Sequence, residues 1–464
     1  MQDHQKSRAT ETPCPADHGL ATIAALLGSG QSIAQSSFEL IESAQKEIVW
    51  TEFLLRDDEF GLMKLALIRR KAREGKRVIL HVDAFHLFAD WALIRHLINE
   101  GVEITVFNEF TLSGLAQVSS RNHNKALIVD GEVYKTGDSN TGNEYVQWGN
   151  GRHMKSIDIV LGGSVARDAR SYAFEVINCP LSKVPDIQVA SIKDVEYQRR
   201  QLRRMTRLTK NVFDSLFIQL DAAEQISRPS PFLVTNPELE AAHQRLDQAF
   251  RRYSMEYRKN PARSWIAGAS PIDAVHFFSD MPQKTKDSAV TRAVAGFIGE
   301  ARERVTIVSP YLILTPPLKE ALKCAMARGA RVLIFTNSMH STDNFTTQLA
   351  YEYRLEEISQ LGPLEIFEYH GDETLHAKFV LRDQSDCMLM TYNLDWRSDR
   401  KNLETAVQFS GQSIYRELEA WLFSQKEKFL CATAHGQLWK QPVRAQSPTE
   451  KMKRVIIQAI EKQL

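Results

Sequence analysis

The chain has 464 residues, of which 43% are hydrophobic and 25% charged, with a formal net charge of +1. That length argues for two or three domain-sized units, each able to bury a large core. The composition excludes a disordered chain, and the charge balance excludes a strong overall field for nucleic acid or anionic membrane, so any such attraction is local.

Residues 1–18 are polar, with Pro13 and Pro15, and read as a flexible lead-in without the apolar segment of a secretory signal. No apolar run is long enough to span a bilayer. The five cysteines, Cys14, Cys179, Cys324, Cys387 and Cys431, are scattered and odd in number, which fits a reducing compartment. Apolar spacing predicts a helix over 32–46 and a buried strand over 47–55. An amphipathic helix over 62–73 stops at Gly75, and strand 77–82 follows. A helix over 91–99 and strand 103–107 complete a β-α-β-α-β order, which calls for helices packed on a sheet.

The order returns later, with strand 304–308, helix 317–327, Gly329, strand 331–336, a helix over 342–360 and strand 364–367. Glu74-Gly75-Lys76-Arg77-Val78-Ile79-Leu80 aligns with Arg328-Gly329-Ala330-Arg331-Val332-Leu333-Ile334. This reads as an internal duplication of a unit longer than a solenoid repeat. Between the copies, 194–220 and 238–257 are expected to be helical. Arg199, Arg200, Arg203, Arg204, Arg207 and Lys210 form a basic run at helical spacing, either an acid-paired face or a patch for anionic headgroups. The tail 451–464 reads as a basic amphipathic helix.

One figure occurs twice. His123, Lys125 and Asp130 have the spacing H-x-K-x4-D, and Gly137-Asp138-Ser139-Asn140 follows. His376, Lys378 and Asp383 repeat it, followed at the same offset by Met390-Thr391-Tyr392-Asn393. One copy is within reach of chance; two with the same downstream Asn are not. Strand alternation puts each His and Lys on one face. Lys suits a phosphate oxygen, neutral imidazole can attack phosphorus, and imidazolium can donate a proton. Asn140 and Asn393 offer amide donors to the same anion. One set cannot supply both nucleophile and acid, but two sets facing each other can. Each His needs its far nitrogen held, and Asp158 and Glu404, which follow His123 and His376 by thirty-five and twenty-eight residues, are the expected orienting groups. Asp130 and Asp383 complete the motifs at turns and are expected to be structural members of the catalytic set, not its acid or base. No ligand cluster calls for a metal, and no cofactor is expected.

At these residues the chain resembles the phospholipase D superfamily, and within it bacterial cardiolipin synthases that lack N-terminal membrane spans. The resemblance covers about residues 20–430 and also rests on the segments 309–344, 278–284 and 393–405 (NLDWRSDRKNLET). It implies an α/β fold of two pseudo-symmetric phospholipase D-like units sharing one central active site, with a helical insertion between them. The expected organisation is a flexible terminus at 1–18, a first domain at 19–180, the insertion at 181–264, a second domain at 265–445 and a terminal helix at 446–464. The sequence departs from the family at Gly137-Asp138 and Met390-Thr391, where the family has Gly-Ser or Gly-Gly. An inward Asp138 would add negative charge beside the phosphate.

The resemblance implies a phosphatidyl-histidine intermediate, with the phosphatidyl group passed to a second lipid or to water. Cardiolipin synthesis from phosphatidylglycerol is the leading expectation. Hydrolysis to phosphatidic acid stands next, followed by a nuclease using the same chemistry and by an inactive lipid-binding scaffold. Expected partners are anionic phospholipids, with peripheral contact at the inner face of the cell membrane from a cytoplasmic position. Neither nucleic acid nor an obligate protein partner is expected. His123 is favoured as the nucleophile.

Overall fold

The computed structural model describes residues 22–109, 120–215, 231–257, 265–282, 288–435 and 437–440. Two nine-stranded mixed sheets dominate. In the first, Glu47–Glu52, Arg77–Asp83 and Glu103–Phe107 run parallel. On the other side of Glu47–Glu52, the strands Ala126–Val129, Val133–Gly137, Asp158–Gly162 and Ile23–Leu27 add in antiparallel order. The second sheet has the same order. Arg304–Val308, Arg331–Asn337 and Glu365–Tyr369 run parallel, and Phe379–Arg382, Asp386–Met390, Thr405–Ser410 and Asp273–Ser279 add antiparallel.

Alternation along the strands divides the core into layers. Ile48 and Trp50 face an outer core with the helices Gly30–Ser43 and Glu59–Arg73, whereas Val49 faces the space between the sheets. Val305 and Ile307 likewise face the outer core of the second half. The central layer holds Ile159 and Leu161 from one sheet and Phe379, Leu381 and Phe409 from the other. The helices Ser164–Ile177 and Gln412–Phe423 contribute Val165, Ala166, Ala169, Ile414 and Leu418 to it. The halves therefore share one apolar layer, and burial of that layer holds the two sheets together.

Helix ends explain the differences from the sequence expectations. The first helix starts at Gly30 because Ser29 and Ser32 form a capping box, and it closes at Ser43. The next N–H groups, of Gln45, Lys46 and Glu47, bind the Asp130 carboxylate instead. The expected strand over 47–55 ends at Glu52, beyond which Leu55 bridges to Leu87 and Thr141. Between the sheets in sequence lie the helices Ile192–Ser215 and Asn236–Glu256. The second is capped by Thr235 and Glu238, with Pro237 in its first turn. It packs Leu246, Ala249 and Tyr253 into the outer core of the first half. Of the basic run, Arg199 pairs with Glu238 at 2.6 Å. The side chains of Arg204, Arg207 and Lys210, and the tail 451–464, lie outside the described residues.

Candidate active site

Each motif sits where one half docks on the other. The His123 N–H donates to Leu403 O at 3.0 Å, and the His376 N–H to Lys155 O at 2.9 Å. The short strand Thr374–Leu375 pairs in parallel with Met154–Lys155 of the first half. Both histidines and both lysines are buried. Lys125 Nζ donates to His123 O at 2.9 Å, and Lys378 Nζ to His376 O at 2.8 Å, so the two sets have one local geometry. Lys378 Nζ also lies 3.2 Å from His376 Nε2. Phe53 stands edge-on to His123 at 4.5 Å between ring centres, and Tyr145 to His376 at 5.3 Å.

The orienting carboxylates cross between the halves. His123 Nδ1 meets Glu404 Oε2 at 2.9 Å, although Glu404 belongs to the second half. Glu404 is fully buried and also accepts from Thr391 Oγ1 at 2.6 Å, Ser398 Oγ at 2.8 Å and Asn402 Nδ2 at 3.3 Å. His376 Nδ1 meets Asp138 Oδ1 of the first half at 3.3 Å. The other Asp138 oxygen accepts the N–H groups of Ile157 at 3.1 Å and Lys378 at 3.3 Å. The inward Asp138 is thus a partner of the second histidine.

Three sequence assignments need correction. Asp158 does not orient His123. It pairs with Lys135 and accepts the Ser139 N–H at 3.1 Å, because its strand register aims it under the motif loop. Glu404 meets His123 and not the His376 of its own half. Asp130 and Asp383 bind backbone N–H groups at turns, the structural part expected of them, so only their place in the catalytic set is corrected. Asp383 accepts the N–H groups of Arg302, Glu303 and Arg304 at 3.1, 2.8 and 3.2 Å, the counterpart of the Asp130 contacts. Both have a φ of 54°, a left-handed conformation that Asp tolerates better than most residues. Asn140 and Asn393 are buried, and their Oδ1 atoms have no protein partner among the described residues.

The electrostatics follow from packing several cations into one dry volume. Burial, reinforced by Lys125 and Lys378, pulls His123 down to about 4 against the opposing pull of Glu404. Burial, Lys378, Lys125 and His123 hold His376 well below its ordinary value. Burial and the facing Lys378 pull Lys125 down to about 7. Burial works to raise Glu404, but His123, Thr391 and Lys125 outweigh it and hold the carboxylate at about 2. Burial lifts Asp138 to about 6 against the pull of Lys378. Each motif therefore feels the charges of the other, and the crowded cationic groups lower one another's proton affinity.

Sequence reasoning missed Asp138, Glu52 and Lys64. Glu52 accepts from Thr141 Oγ1 at 2.7 Å and Trp50 Nε1 at 3.1 Å, with Lys64 Nζ 3.8 Å away, in a small polar cavity that Lys125 and Asn140 also line. Lys64 lies in an amphipathic helix and gives no sign of burial in its spacing. The equal offset of Asp138 and Thr391 from their histidines was the available signal for Asp138. Among the described residues, His96, Glu100 and His243 are close enough to share a metal ion. Arg69 Nη1 already lies 3.5 and 3.4 Å from the two histidines, and the group is unconnected to the motifs.

Residues 294–425 match a family model described as cardiolipin synthase, PLD-like domain. The chain is 26% identical over 432 residues to cardiolipin synthase A of Pseudomonas aeruginosa, covering 89% of this chain and 68% of that one. It is 34% identical over 132 residues to a cardiolipin synthase of Geobacillus kaustophilus, covering 27% and 26% of the two chains. It is 22% identical over 447 residues to an uncharacterized protein of Helicobacter pylori, covering 90% and 82%. Among solved structures, phosphatidylserine synthase of Haemophilus influenzae superposes with a TM-score of 0.64 at 14% identity, covering 95% of both chains. Residues 294–425 thus match a PLD-like domain, and the chain is similar to cardiolipin synthases over most of its length and shares its fold with that synthase. Among the described residues no helix is long and apolar enough to cross a membrane.

Proposed function

We propose that the protein is a phosphatidyltransferase that makes cardiolipin from phosphatidylglycerol and a second phospholipid through a phosphohistidine. The observation that carries the reading is the crossed pair of imidazoles, each with its own lysine and each backed by a carboxylate from the opposite half. A proton on Nδ1 facing a carboxylate leaves the Nε2 lone pair of each ring turned to the site, where Lys378 Nζ lies 3.2 Å from that of His376. His123, beside the firmly ionised Glu404, is neutral at pH 7 and suited to attack.

In the first step His123 Nε2 forms a bond to phosphorus. The bond from phosphorus to the leaving glycerol oxygen breaks, and His376 gives that oxygen its proton. In the second step His376 takes the proton of the acceptor hydroxyl, whose oxygen bonds phosphorus as the P–N bond breaks. Lys125, Lys378, Asn140 and Asn393 hold the non-bridging oxygens as charge grows on them. Binding of the diester supplies the anion that the cationic site lacks, and it raises the proton affinity of His376 for its acid role. On this reading the lipid substrates bring the work to a membrane surface, reached by peripheral contact from the cytoplasmic side, and the similarity to cardiolipin synthases supports it.

The test is to incubate the full chain with phosphatidylglycerol vesicles and identify the products. The reading expects cardiolipin and free glycerol in equal amounts. Phosphatidic acid alone would make water the acceptor and the protein a hydrolase.

A further inference from the structure

The two halves use the same two chemical groups behind their histidines, but in exchanged places. Asp138 lies fifteen residues after His123, and Thr391 fifteen after His376. The sheet registers agree, since Gly137 pairs with Asp158 and Met390 with Ala406. In each half the next N–H then reaches across the ladder. That of Asp138 donates to Ile157 O at 3.2 Å, and that of Thr391 to Thr405 O at 2.9 Å. Ile157 therefore corresponds to Thr405, and Ser156, one residue earlier, corresponds to Glu404. The second half has a hydroxyl at 391 and a carboxylate at 404, joined by the 2.6 Å bond from Thr391 Oγ1 to Glu404 Oε2. The first half has the carboxylate at 138 and the hydroxyl at 156, both buried, and no hydrogen-bond partner of the Ser156 Oγ lies among the described residues.

We infer that Asp138 is the positioning residue of His376, and that it fills from the inner strand the role that Glu404 fills for His123 from the neighbouring strand. Several observations support the exchange. Asp138 is buried and its Oδ1 faces His376 Nδ1 across the boundary between the halves, as Glu404 faces His123. Ser156 carries a hydroxyl and no carboxylate, so among the described residues Asp138 is the carboxylate of the first half that meets the second ring. Gly137 leaves no room to move the carboxylate one residue back, because a Cβ there would meet Ile157 O at 2.4 Å. A purely structural Asp138, tying down the N–H groups of Ile157 and Lys378, is the competing account, and the test must separate the two.

The variants are Asp138→Asn, Asp138→Thr, and the double variant Asp138→Thr with Ser156→Glu, which copies the second-half arrangement into the first. Turnover is read on a soluble short-chain phosphatidylglycerol, whose alkyl alcohol leaves only when protonated, so that membrane binding does not enter. Loss of a charge-assisted bond to the acid predicts a fall in kcat of roughly ten- to a hundredfold in both single variants, with KM little changed. The high-pH limb of the rate profile should move to lower pH, because the imidazolium loses its counter-charge. The double variant should recover most of both effects. The inference leans on the transferase reading only for the rate. In chains labelled with 15N-histidine, the His376 ring, identified by its loss in His376→Ala, should be held as the Nδ1–H tautomer in the wild type. It should become mixed in Asp138→Thr and return in the double variant. A fixed tautomer and an unshifted pH limb in Asp138→Asn would overturn the inference. So would a double variant that regains melting temperature without regaining the tautomer. If the wild type turns over no diester, the transferase reading fails and the tautomer still decides the role of Asp138.

Discussion

The motif aspartates invite a quantitative test, because the geometry makes Asp383 a turn residue and gives it no part in the chemistry. Changing Asp383 to Ala removes the acceptor for three N–H groups, those of Arg302, Glu303 and Arg304. These groups are partly exposed, so water replaces some of what is lost, and each bond contributes about 0.5–1 kcal/mol. An Ala at a φ of 54° adds about 1 kcal/mol of strain. The expected loss of stability is about 2–4 kcal/mol. Asp383→Asn, which keeps one acceptor and tolerates the left-handed conformation, should lose about half of that. Burial works to raise the Asp383 carboxyl, but its backbone bonds outweigh it, so the folded value lies below the ordinary one. Its contribution is therefore present above the ordinary carboxylate range and fades as pH falls through the lowered folded value. Urea titrations at pH 7 and pH 3 measure both effects, and the variant should show a smaller difference between them than the wild type, by the Asp383 share. Turnover per folded molecule at low temperature should stay within about threefold of wild type, since no step is routed through this residue. An unchanged urea midpoint together with abolished turnover would refute the reasoning.

Two further predictions follow from the site. Glu404→Gln keeps the size of the side chain but removes the charge behind His123, so kcat per folded molecule should fall by roughly a hundred- to ten-thousandfold, and the melting temperature should fall too because the lost carboxylate accepts several buried hydrogen bonds. A loss under threefold would deny Glu404 its orienting role. Because Lys125 is pulled to about 7 and His123 to about 4 by burial and neighbouring cations, binding of phosphate or tungstate should raise both groups and take up protons. Affinity should therefore rise as pH falls from 8 to 6, and calorimetry in buffers of different ionisation enthalpy should show net proton uptake. Tighter binding at the higher pH would contradict the electrostatic account.

The alternating strands and helices were legible because burial imposes periods that hydrophobic residues reveal. Strands 103–107 and 304–308 match Glu103–Phe107 and Arg304–Val308. Helix ends were less legible, since Ser29 caps a helix read as starting at 32, and Asp130 claims the N–H groups that would have prolonged it to 46. The motif residues could be named from spacing. Their partners could not, because the sequence offset from His123 to Asp158 is local, whereas Glu404 reaches His123 across an interface between the halves. By sequence Asp138 is a departure from the family pattern that adds negative charge beside the phosphate. It became intelligible only when the strand registers put Ser156 opposite the place of Glu404.

The central claim is that imidazoles from the two halves act on one phosphorus atom, one as nucleophile and one as acid and base. The measurement that addresses it most directly uses a phosphatidyl ester of p-nitrophenol, whose leaving group departs without a proton. With His376→Asn, the account predicts a rapid burst of one nitrophenolate per chain, slow turnover afterwards, and the phosphatidyl phosphorus recovered on His123. With His123→Asn it predicts no burst and no labelled protein. Label on any other residue, or undiminished turnover in either variant, would contradict it.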